Sequence, residues 1–141
     1  RRNIKLVIDK GNFIDVRFKG HEIDLDGIFN NLIVNSVDAF KREDSSSIRE
    51  IKISFSINFN EKLGISTIYE DSGPGLLNEI LEPNKIFQPF FTTKRDEKTG
   101  EKTGTGLGMW IVKSNIDGYD GDIEILKARP NFKLKILLPH Y

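Results

Sequence analysis

The sequence predicts a single α+β domain in which helices pack on one face of a mixed, mostly antiparallel sheet. A chain of 141 residues has the size of one domain, and 38% hydrophobic residues suffice for a core. Predicted strands outnumber predicted helices and come in consecutive pairs, which argues against a doubly wound parallel sheet. Because predicted strands begin and end close to both chain ends, we expect residues 1–141 to be one domain excised from a larger protein.

The first part of the chain predicts two strands and then a long helix. Apolar residues alternate in the first strand, at Ile4, Leu6 and Ile8. After a turn at 10–12, a less regular second strand is expected, at Phe13, Val16 and Phe18. From Leu25 to Phe40 the apolar residues follow the spacing of one helical face, and Asp24 or Asp26 is the expected N-cap.

The rest of the chain predicts a hairpin, a loop-rich centre, a second helix and a final pair of strands. The hairpin strands are expected at about Glu50–Asn58 and Leu63–Glu70, joined by a turn at 60–62. A short helix at Leu76–Leu81 and an irregular stretch between Pro83 and Pro89 follow. The last elements are a helix at Leu107–Ile116 and strands at Ile123–Leu126 and Phe132–Leu138.

Composition excludes several classes of protein. The 21 Lys and Arg residues balance 21 Asp and Glu residues, so the charge of a nucleic-acid binder is missing. The chain has no cysteine, which removes thiol nucleophiles and thiolate metal sites and fits a reducing compartment. No apolar run approaches the ~18 residues of a membrane span. We therefore expect a soluble globular domain without a nucleic-acid partner or direct membrane contact.

A polar stripe on the first predicted helix is the first candidate site. Asn31, Asn35 and Asp38 are spaced to lie along one side of that helix. The amide oxygen of Asn35 is a suitable ligand for Mg²⁺, which prefers oxygen. A solvated helix face with incidental asparagines is the alternative.

The segment Asp71-Ser72-Gly73-Pro74-Gly75, directly after a predicted strand, is the second candidate. A carboxylate only accepts hydrogen bonds, so Asp71 is suited to an exocyclic amine such as adenine N6. Gly73 and Gly75 would let the backbone lie close to a flat base. An ordinary surface turn is the alternative.

Glycines leading into the second predicted helix form the third candidate, Gly104-Thr105-Gly106-Leu107-Gly108. Unpaired amides and the positive end of the helix dipole favour phosphate there. No Lys-Ser/Thr pair follows, so this is not a P-loop, and no strand leads directly into it, as the dinucleotide fingerprint requires. The preceding residues 94–103 include seven charged residues, which is typical of a mobile lid.

The fourth candidate runs from Ile86 to Lys94 and contains three phenylalanines within five residues, Phe87, Phe90 and Phe91. In a functional interpretation Lys94 is a cation that reaches phosphate. The alternative is a loop tucked onto the core.

In their order along the chain, the motifs at 31–39, 71–75, 86–94 and 104–108 resemble the N box, first glycine box, F box and second glycine box of the catalytic, ATP-binding domain of sensor histidine kinases, in the GHKL ATPase superfamily. The resemblance covers essentially the whole chain. It implies the Bergerat α/β sandwich fold, the cofactors ATP and Mg²⁺, and an ATP-dependent protein-histidine kinase acting in a two-component system.

The resemblance also implies roles for single residues. Asp71 would bind the adenine amino group, Asn35 would coordinate Mg²⁺, and Asn31 would lie beside the reacting phosphate, which makes both asparagines catalytic candidates. Asp38 would help to order the Mg²⁺ shell, and residues 95–103 would be the ATP lid. The remaining implied nucleotide contacts are Gly73, Gly75, Phe87, Lys94, Gly104, Thr105, Gly106, Leu107 and Gly108.

Two departures bear on the activity. His21-Glu22 resembles a phosphoacceptor pair, but it lies only ten residues before Asn31, which leaves no room for a helical hairpin. The phosphoacceptor histidine is therefore expected on a separate dimerisation domain of the same protein, with a response regulator as further partner and a cytoplasmic location. Asn31 stands where ATP-hydrolysing relatives carry a general-base glutamate.

Two alternatives to a kinase remain open at this point. One is a GHKL ATPase that switches conformation, as in mismatch-repair, gyrase and chaperone proteins. The other is a regulatory module that binds nucleotide and performs no chemistry.

Overall fold

The structure is a computed structural model that describes residues 3–11, 18–43, 48–58, 64–91 and 107–139. Five strands and two α-helices follow one another as β1 (Lys5–Asp9), α1 (Glu22–Phe40), β2 (Glu50–Asn58), β3 (Gly64–Asp71), α2 (Gly108–Gly118), β4 (Asp122–Lys127) and β5 (Phe132–Pro139). A 3₁₀ helix, Pro83–Phe87, lies between β3 and α2.

The strands form one sheet in the order β1-β2-β3-β5-β4. β1 pairs with β2 in parallel, and every other pairing is antiparallel. The predicted mixed, mostly antiparallel sheet is confirmed.

The core lies between the two helices and one face of this sheet. Alternate residues of β5 are buried there, at Phe132, Leu134, Ile136 and Leu138. They join buried apolar residues of both helices, at Ile28, Leu32, Phe40, Met109, Val112 and Ile116. The opposite sheet face carries charge, since Lys52, Glu70 and Lys133 lie side by side across three strands. The helices therefore cover one face of the sheet, as predicted.

Most predicted elements match the structure within a few residues, but the predicted cap of α1 is wrong. The helix begins at Glu22, and its N-cap is His21, whose side chain makes no capping hydrogen bond. Asp24 lies inside the first turn, where its carboxylate accepts a hydrogen bond from the Tyr119 hydroxyl instead. The spacing of apolar residues does not predict this first turn of α1, because Glu22 and Ile23 are exposed and do not continue the buried face.

The short helix predicted at Leu76–Leu81 is also wrong, because another part of the chain binds the backbone of this segment. The Leu76 N–H donates to the Ala128 carbonyl at 2.8 Å. The carbonyls of Leu76, Leu77 and Ile80 accept hydrogen bonds from the Arg129 side chain. Within the segment, the Ile80 N–H donates to the Leu77 carbonyl at 3.0 Å, which closes one turn.

Several sequence predictions fall outside the described residues. They are residues 13–17 of the second strand, the hairpin turn at 60–62, Lys94, the lid at 95–103, Gly104, Thr105 and Gly106. Phe18, the last residue of that second strand, is described, is not in a strand and packs its ring edge-on against Tyr119 with centroids 4.7 Å apart. Among the described helices, none is long and apolar enough to cross a membrane.

Candidate functional site

The carboxylate of Asp71 is held in place from two directions. Asp71 is the last residue of β3 and only 5% exposed. Its Oδ1 accepts the Gly73 N–H at 2.9 Å, and its Oδ2 accepts the Ser36 hydroxyl at 2.6 Å. One hydrogen bond comes from the loop after β3 and the other from α1, so the acid is fixed between strand and helix.

Two hydroxyl residues that sequence reasoning missed complete this network. The Tyr69 hydroxyl donates to the Leu32 carbonyl at 3.0 Å and lies 2.6 Å from the Ser36 Oγ. Burial raises the pKa of Tyr69 and the charge of Asp71 adds to the rise, while the hydrogen bond with Ser36 opposes it. Tyr69 is therefore a neutral hydrogen-bonding group at ordinary pH. A serine within the apolar stripe of the first helix was the signal that could have revealed this network.

Asn31 connects α1 to the beginning of α2. Its Nδ2 donates to the Gly27 carbonyl at 2.6 Å. Its Oδ1 lies only 3.0 Å from where a Cβ on Gly108 would stand. Asn35 lies one turn further along α1, next to Ser36, and both asparagines are half-buried. The polar stripe thus extends from the start of α2 toward Asp71.

The two glycines after Asp71 are tightly packed. A Cβ on Gly73 would lie 3.0 Å from Asp71 Oδ1 and 3.3 Å from the Phe40 ring. Gly75 has a φ of +79°, and its Cβ would lie 2.2 Å from the Ala128 carbonyl oxygen. Close packing therefore explains why both positions are glycine, and contact between these glycines and a nucleotide base remains a prediction. Arg42, also missed from the sequence, donates to the Gly75 carbonyl at 2.6 Å.

The start of α2 presents backbone N–H groups. Leu107 is its N-cap residue, and its carbonyl accepts the first helical hydrogen bond, from Ile111 N at 2.8 Å. The N–H groups of Gly108, Met109 and Trp110 come before this bond and have no partner inside the helix. With the helix dipole, they favour an anion at this end.

The aromatic motif divides between core and surface. Phe87 is 9% exposed and belongs to the core, and Phe91 is partly buried against it. Phe90 is 74% exposed and has a φ of +64°. The loop thus tucks onto the core at Phe87, and a nucleotide contact for this residue stays a prediction.

The residues present fit a magnesium ion that is brought by a phosphate ligand. In the described part of the chain, no three His, Asp or Glu side chains cluster around a metal position. Mg²⁺ commonly keeps several waters and takes one or two protein oxygens together with substrate phosphates. The half-buried amide of Asn35 suits such a sparse set. Asp38, on the same stripe, forms an ion pair with Lys41 at 3.3 Å.

Comparison with known proteins identifies the family to which the chain belongs. The family model described as "Histidine kinase-, DNA gyrase B-, and HSP90-like ATPase" matches residues 20–140. The C4-dicarboxylate transport sensor protein DctB of Rhizobium meliloti is 30% identical over 107 residues, which cover 75% of this chain and 15% of that protein. Sensor histidine kinase GlnK of Bacillus subtilis is 34% identical over 112 residues, covering 79% of this chain and 25% of that protein. The chain thus spans a quarter or less of these relatives.

Solved structures show the same fold. The catalytic domain of histidine kinase ThkA has a TM-score of 0.67 and 28% identity, covering 96% of this chain and 78% of that one. A mycobacterial sensor histidine kinase, MprB, has a TM-score of 0.69 at 17% identity, covering 97% of this chain and 82% of that one, a likeness of fold alone. The chain belongs to the histidine kinase-, DNA gyrase B- and HSP90-like ATPase family, and it is a catalytic domain of the sensor histidine kinase type.

Proposed function

We propose that this domain binds Mg-ATP and donates the γ-phosphoryl group to a histidine on a separate dimerisation domain of the same protein. The observation that carries the proposal is a series of polar groups along α1, here called the polar path. The buried, fixed carboxylate of Asp71 lies at one end beside Ser36, Asn31 meets the start of α2 at the other end, and half-buried Asn35 stands between them on the helix. Such a path suits a ligand with a base at one end and phosphates at the other.

Asp71 supplies the base-recognition end of this path. From the described residues, each carboxylate oxygen accepts one hydrogen bond, which leaves a lone pair for another donor. An adenine amino group is such a donor, whereas a purine with an oxo group at that position offers only an acceptor. A buried acceptor left without a donor is costly, so we expect strong preference for adenine.

The asparagines and the start of α2 supply the phosphate end. Asn35 is the proposed Mg²⁺ ligand, supported by Asp38, and Asn31 lies beside the γ-phosphate. Bound magnesium would neutralise charge on the phosphate oxygens. The proposed contacts to the phosphates are Lys94, Gly104, Thr105, Gly106, Leu107 and Gly108, and residues 95–103 are the proposed lid.

Phosphoryl transfer needs little covalent chemistry from this domain. An imidazole nitrogen of the acceptor histidine attacks the γ-phosphorus, the bond from that phosphorus to the bridging oxygen breaks, and ADP leaves. The attacking nitrogen is the unprotonated one, because only that nitrogen has a free lone pair, and the proton on the other ring nitrogen passes to solvent after transfer. The domain contributes positioning and charge neutralisation.

The side chain at position 31 favours transfer over hydrolysis. An amide does not take up a proton at ordinary pH, so Asn31 is unsuited to activate water as a general base. Its amide nitrogen is also engaged with the Gly27 carbonyl. The relatives' names, which call them sensor histidine kinases, support the same choice.

The proposed partners lie outside this chain. His21 precedes α1 directly and is exposed, and its backbone N–H donates to the Tyr119 hydroxyl at 2.9 Å. Since α1 follows His21 at once and leaves no room for a helical hairpin before Asn31, we assign the phosphoacceptor to another domain. We also propose a response regulator as the next recipient and a cytoplasmic location.

Calorimetric titration with a non-hydrolysable ATP analogue, with and without Mg²⁺, tests nucleotide binding. Phosphotransfer from labelled ATP to an added histidine-bearing dimerisation domain then tests the activity. We expect binding that strengthens with Mg²⁺, slow hydrolysis by the domain alone, and acid-labile label on the acceptor. Absence of binding would overturn the site. Rapid hydrolysis without phosphohistidine would favour an ATPase switch, and binding with neither reaction would favour a regulatory module.

A further inference from the structure

The turn between β4 and β5 is hydrogen-bonded to the loop that follows Asp71. We call Ala128, Arg129 and Asn131 the hairpin clamp, and residues 72–81 the base loop. The base loop has almost no regular structure of its own, and the clamp binds it through both backbone and side chains. This contact joins segments about 50 residues apart in sequence.

Arg129 makes the most extensive contact in the clamp. Its Nε donates to the Leu76 carbonyl at 3.1 Å, and its Nη2 donates to the Leu77 carbonyl at 3.1 Å. The same Nη2 also donates to the Ile80 carbonyl. One half-buried guanidinium therefore binds three carbonyls, of which those of Leu76 and Leu77 would have accepted hydrogen bonds within the predicted helix. The rigid fork of arginine is suited to this task, whereas a lysine offers a single point of charge.

The clamp also reaches the peptide groups that orient Asp71. The Asn131 N–H donates to the Gly73 carbonyl at 2.9 Å, and the Gly73 N–H donates to Asp71 Oδ1 at 2.9 Å. With its side-chain amide turned so that Nδ2 faces the loop, Asn131 also donates to the carbonyl oxygens of Ser72 and Gly73, at 3.2 and 3.1 Å. A short chain of hydrogen bonds thus runs from the hairpin to the carboxylate.

Gly75 shows how closely the two segments fit. Its Cβ would lie 2.2 Å from the Ala128 carbonyl oxygen and 2.8 Å from the Arg129 Cα. No side chain fits there without displacing the hairpin. The clamp therefore sets the distance between base loop and hairpin as well as the hydrogen bonding.

We propose that Arg129 is a positioning residue for recognition of the nucleotide base. Its hydrogen bonds to Leu76, Leu77 and Ile80 hold the base loop in one conformation before the nucleotide arrives. This fixes the loop against the hairpin, where Asn131 binds Gly73, so that the Gly73 N–H stays on Oδ1 of Asp71 and the acceptors left for the amino group point one way. Preorganisation of this kind avoids an ordering cost on binding. The inference rests on the proposed function, because it concerns how Asp71 reads the base.

Arg129→Gln tests the proposal, with Lys127→Gln as the matched control. Lys127 is an exposed residue two positions away at the end of β4. For each protein, calorimetry gives the Kd of ATP, of inosine triphosphate, which has no amino group, and of tripolyphosphate. Urea unfolding gives the stability of each protein.

We expect Arg129→Gln to weaken ATP binding about tenfold, the effect of losing roughly one hydrogen bond to a charged group. Inosine triphosphate and tripolyphosphate should bind nearly as before, so the preference for ATP over inosine triphosphate falls. Lys127→Gln should change none of the three Kd values. Arg129→Lys keeps the charge and should recover only part of the preference.

Two outcomes would overturn the assignment of Arg129. One is an unchanged preference for ATP over inosine triphosphate, and the other is equal weakening of all three ligands, which a merely structural role would produce. If Arg129→Gln does not fold, the same comparison is made with Arg129→Lys. An unsubstituted protein that binds ATP no better than inosine triphosphate would instead defeat the proposed base site itself.

Discussion

The carboxylate of Asp71 uses part of its hydrogen-bonding capacity within the protein and has part left for a ligand. Ser36 and the Gly73 N–H each occupy one carboxylate oxygen, and Tyr69 in turn contacts Ser36. None of these partners neutralises the acid by a direct ion pair. Asp71 therefore stays an oriented acceptor, which is the chemical property that reading an amino group requires.

Asp71→Asn should weaken ATP binding by about ten- to a hundredfold while the protein stays folded. An amide keeps the shape of the acid but loses one acceptor, so either the Gly73 N–H or the adenine amino group is left unsatisfied. Glu70→Gln is the matched control, because Glu70 is the neighbouring carboxylate on the opposite sheet face, 3.9 Å from Lys133. Calorimetry measures both, and equal Kd values for the two variants would contradict the role of Asp71.

Stability at alkaline pH should depend on Tyr69. Its pKa is raised by burial, so the folded protein holds this proton more tightly than the unfolded chain does. The resulting stabilisation is complete below about pH 10, the pKa of an unfolded tyrosine, and is lost as the pH rises from there toward the folded-state pKa.

Tyr69→Phe has no such proton, which makes it the reference for this effect. Above about pH 10 the free energy of unfolding of the unsubstituted protein should fall more steeply than that of the variant, by up to about 1.4 kcal/mol per pH unit. Urea unfolding from about pH 8 to about pH 11 measures both slopes. Parallel pH profiles would refute the proton linkage.

Helices and loops place these side chains through a few close contacts. Gly27 of α1 faces α2, where a Cβ would lie 3.1 Å from Asn115 Nδ2. One turn later, Asn31 meets Gly108. The two helices thus touch where the proposed phosphate end begins, and a small change in their spacing would alter that end first.

Gly108→Ala should weaken binding of ATP more than binding of AMP. The added Cβ would lie 3.0 Å from Asn31 Oδ1, so either Asn31 or the start of α2 must shift. Gly118→Ala, at the other end of α2, is the control, because nothing lies within 4 Å of its Cβ position. Titration of both nucleotides into each variant measures the effect, and a uniform loss for ATP and AMP would count against a phosphate role.

The molecule as a whole is organised around one core shared by both helices and the sheet. Leu134 and Ile136 of β5 lie in the same hydrophobic cluster as Leu32 of α1 and Val112 of α2. A site built on α1, β3 and α2 therefore depends on cooperative folding of this single core.

Leu134→Ala should destabilise the domain by about 2–5 kcal/mol, because Leu134 is fully buried and its truncation leaves a cavity. Lys135→Ala, its neighbour on the outer face of β5, should change stability by only about 0.5 kcal/mol. Urea unfolding followed by circular dichroism and Trp110 fluorescence measures both. Two separate transitions in the unsubstituted protein would contradict a single cooperative core.

Local sequence patterns specify some elements of this fold and not others, for identifiable physical reasons. Alternation and helical spacing predicted β2 and α1 because one buried face imposes that pattern on the local sequence. The expected helix at Leu76–Leu81 failed because Arg129 binds its carbonyls from about 50 residues away. The motifs predicted Asp71 and Asn31 as site residues, whereas no role was predicted for Ser36, Tyr69 or Arg42, whose contacts with the Asp71 region come from distant parts of the chain.

Most element types, the sheet class and the family were thus readable from the amino-acid order, since they depend on residues close together along the chain. Partnerships between distant residues were not readable. Ser36 and Asp71, 35 residues apart, meet because strand order and register bring the end of β3 under α1. Arg129 reaches the carbonyls of the base loop because the turn that joins β4 and β5 lies beside that loop. Such contacts follow from the packing of the whole sheet and its helices, which no short stretch of sequence encodes.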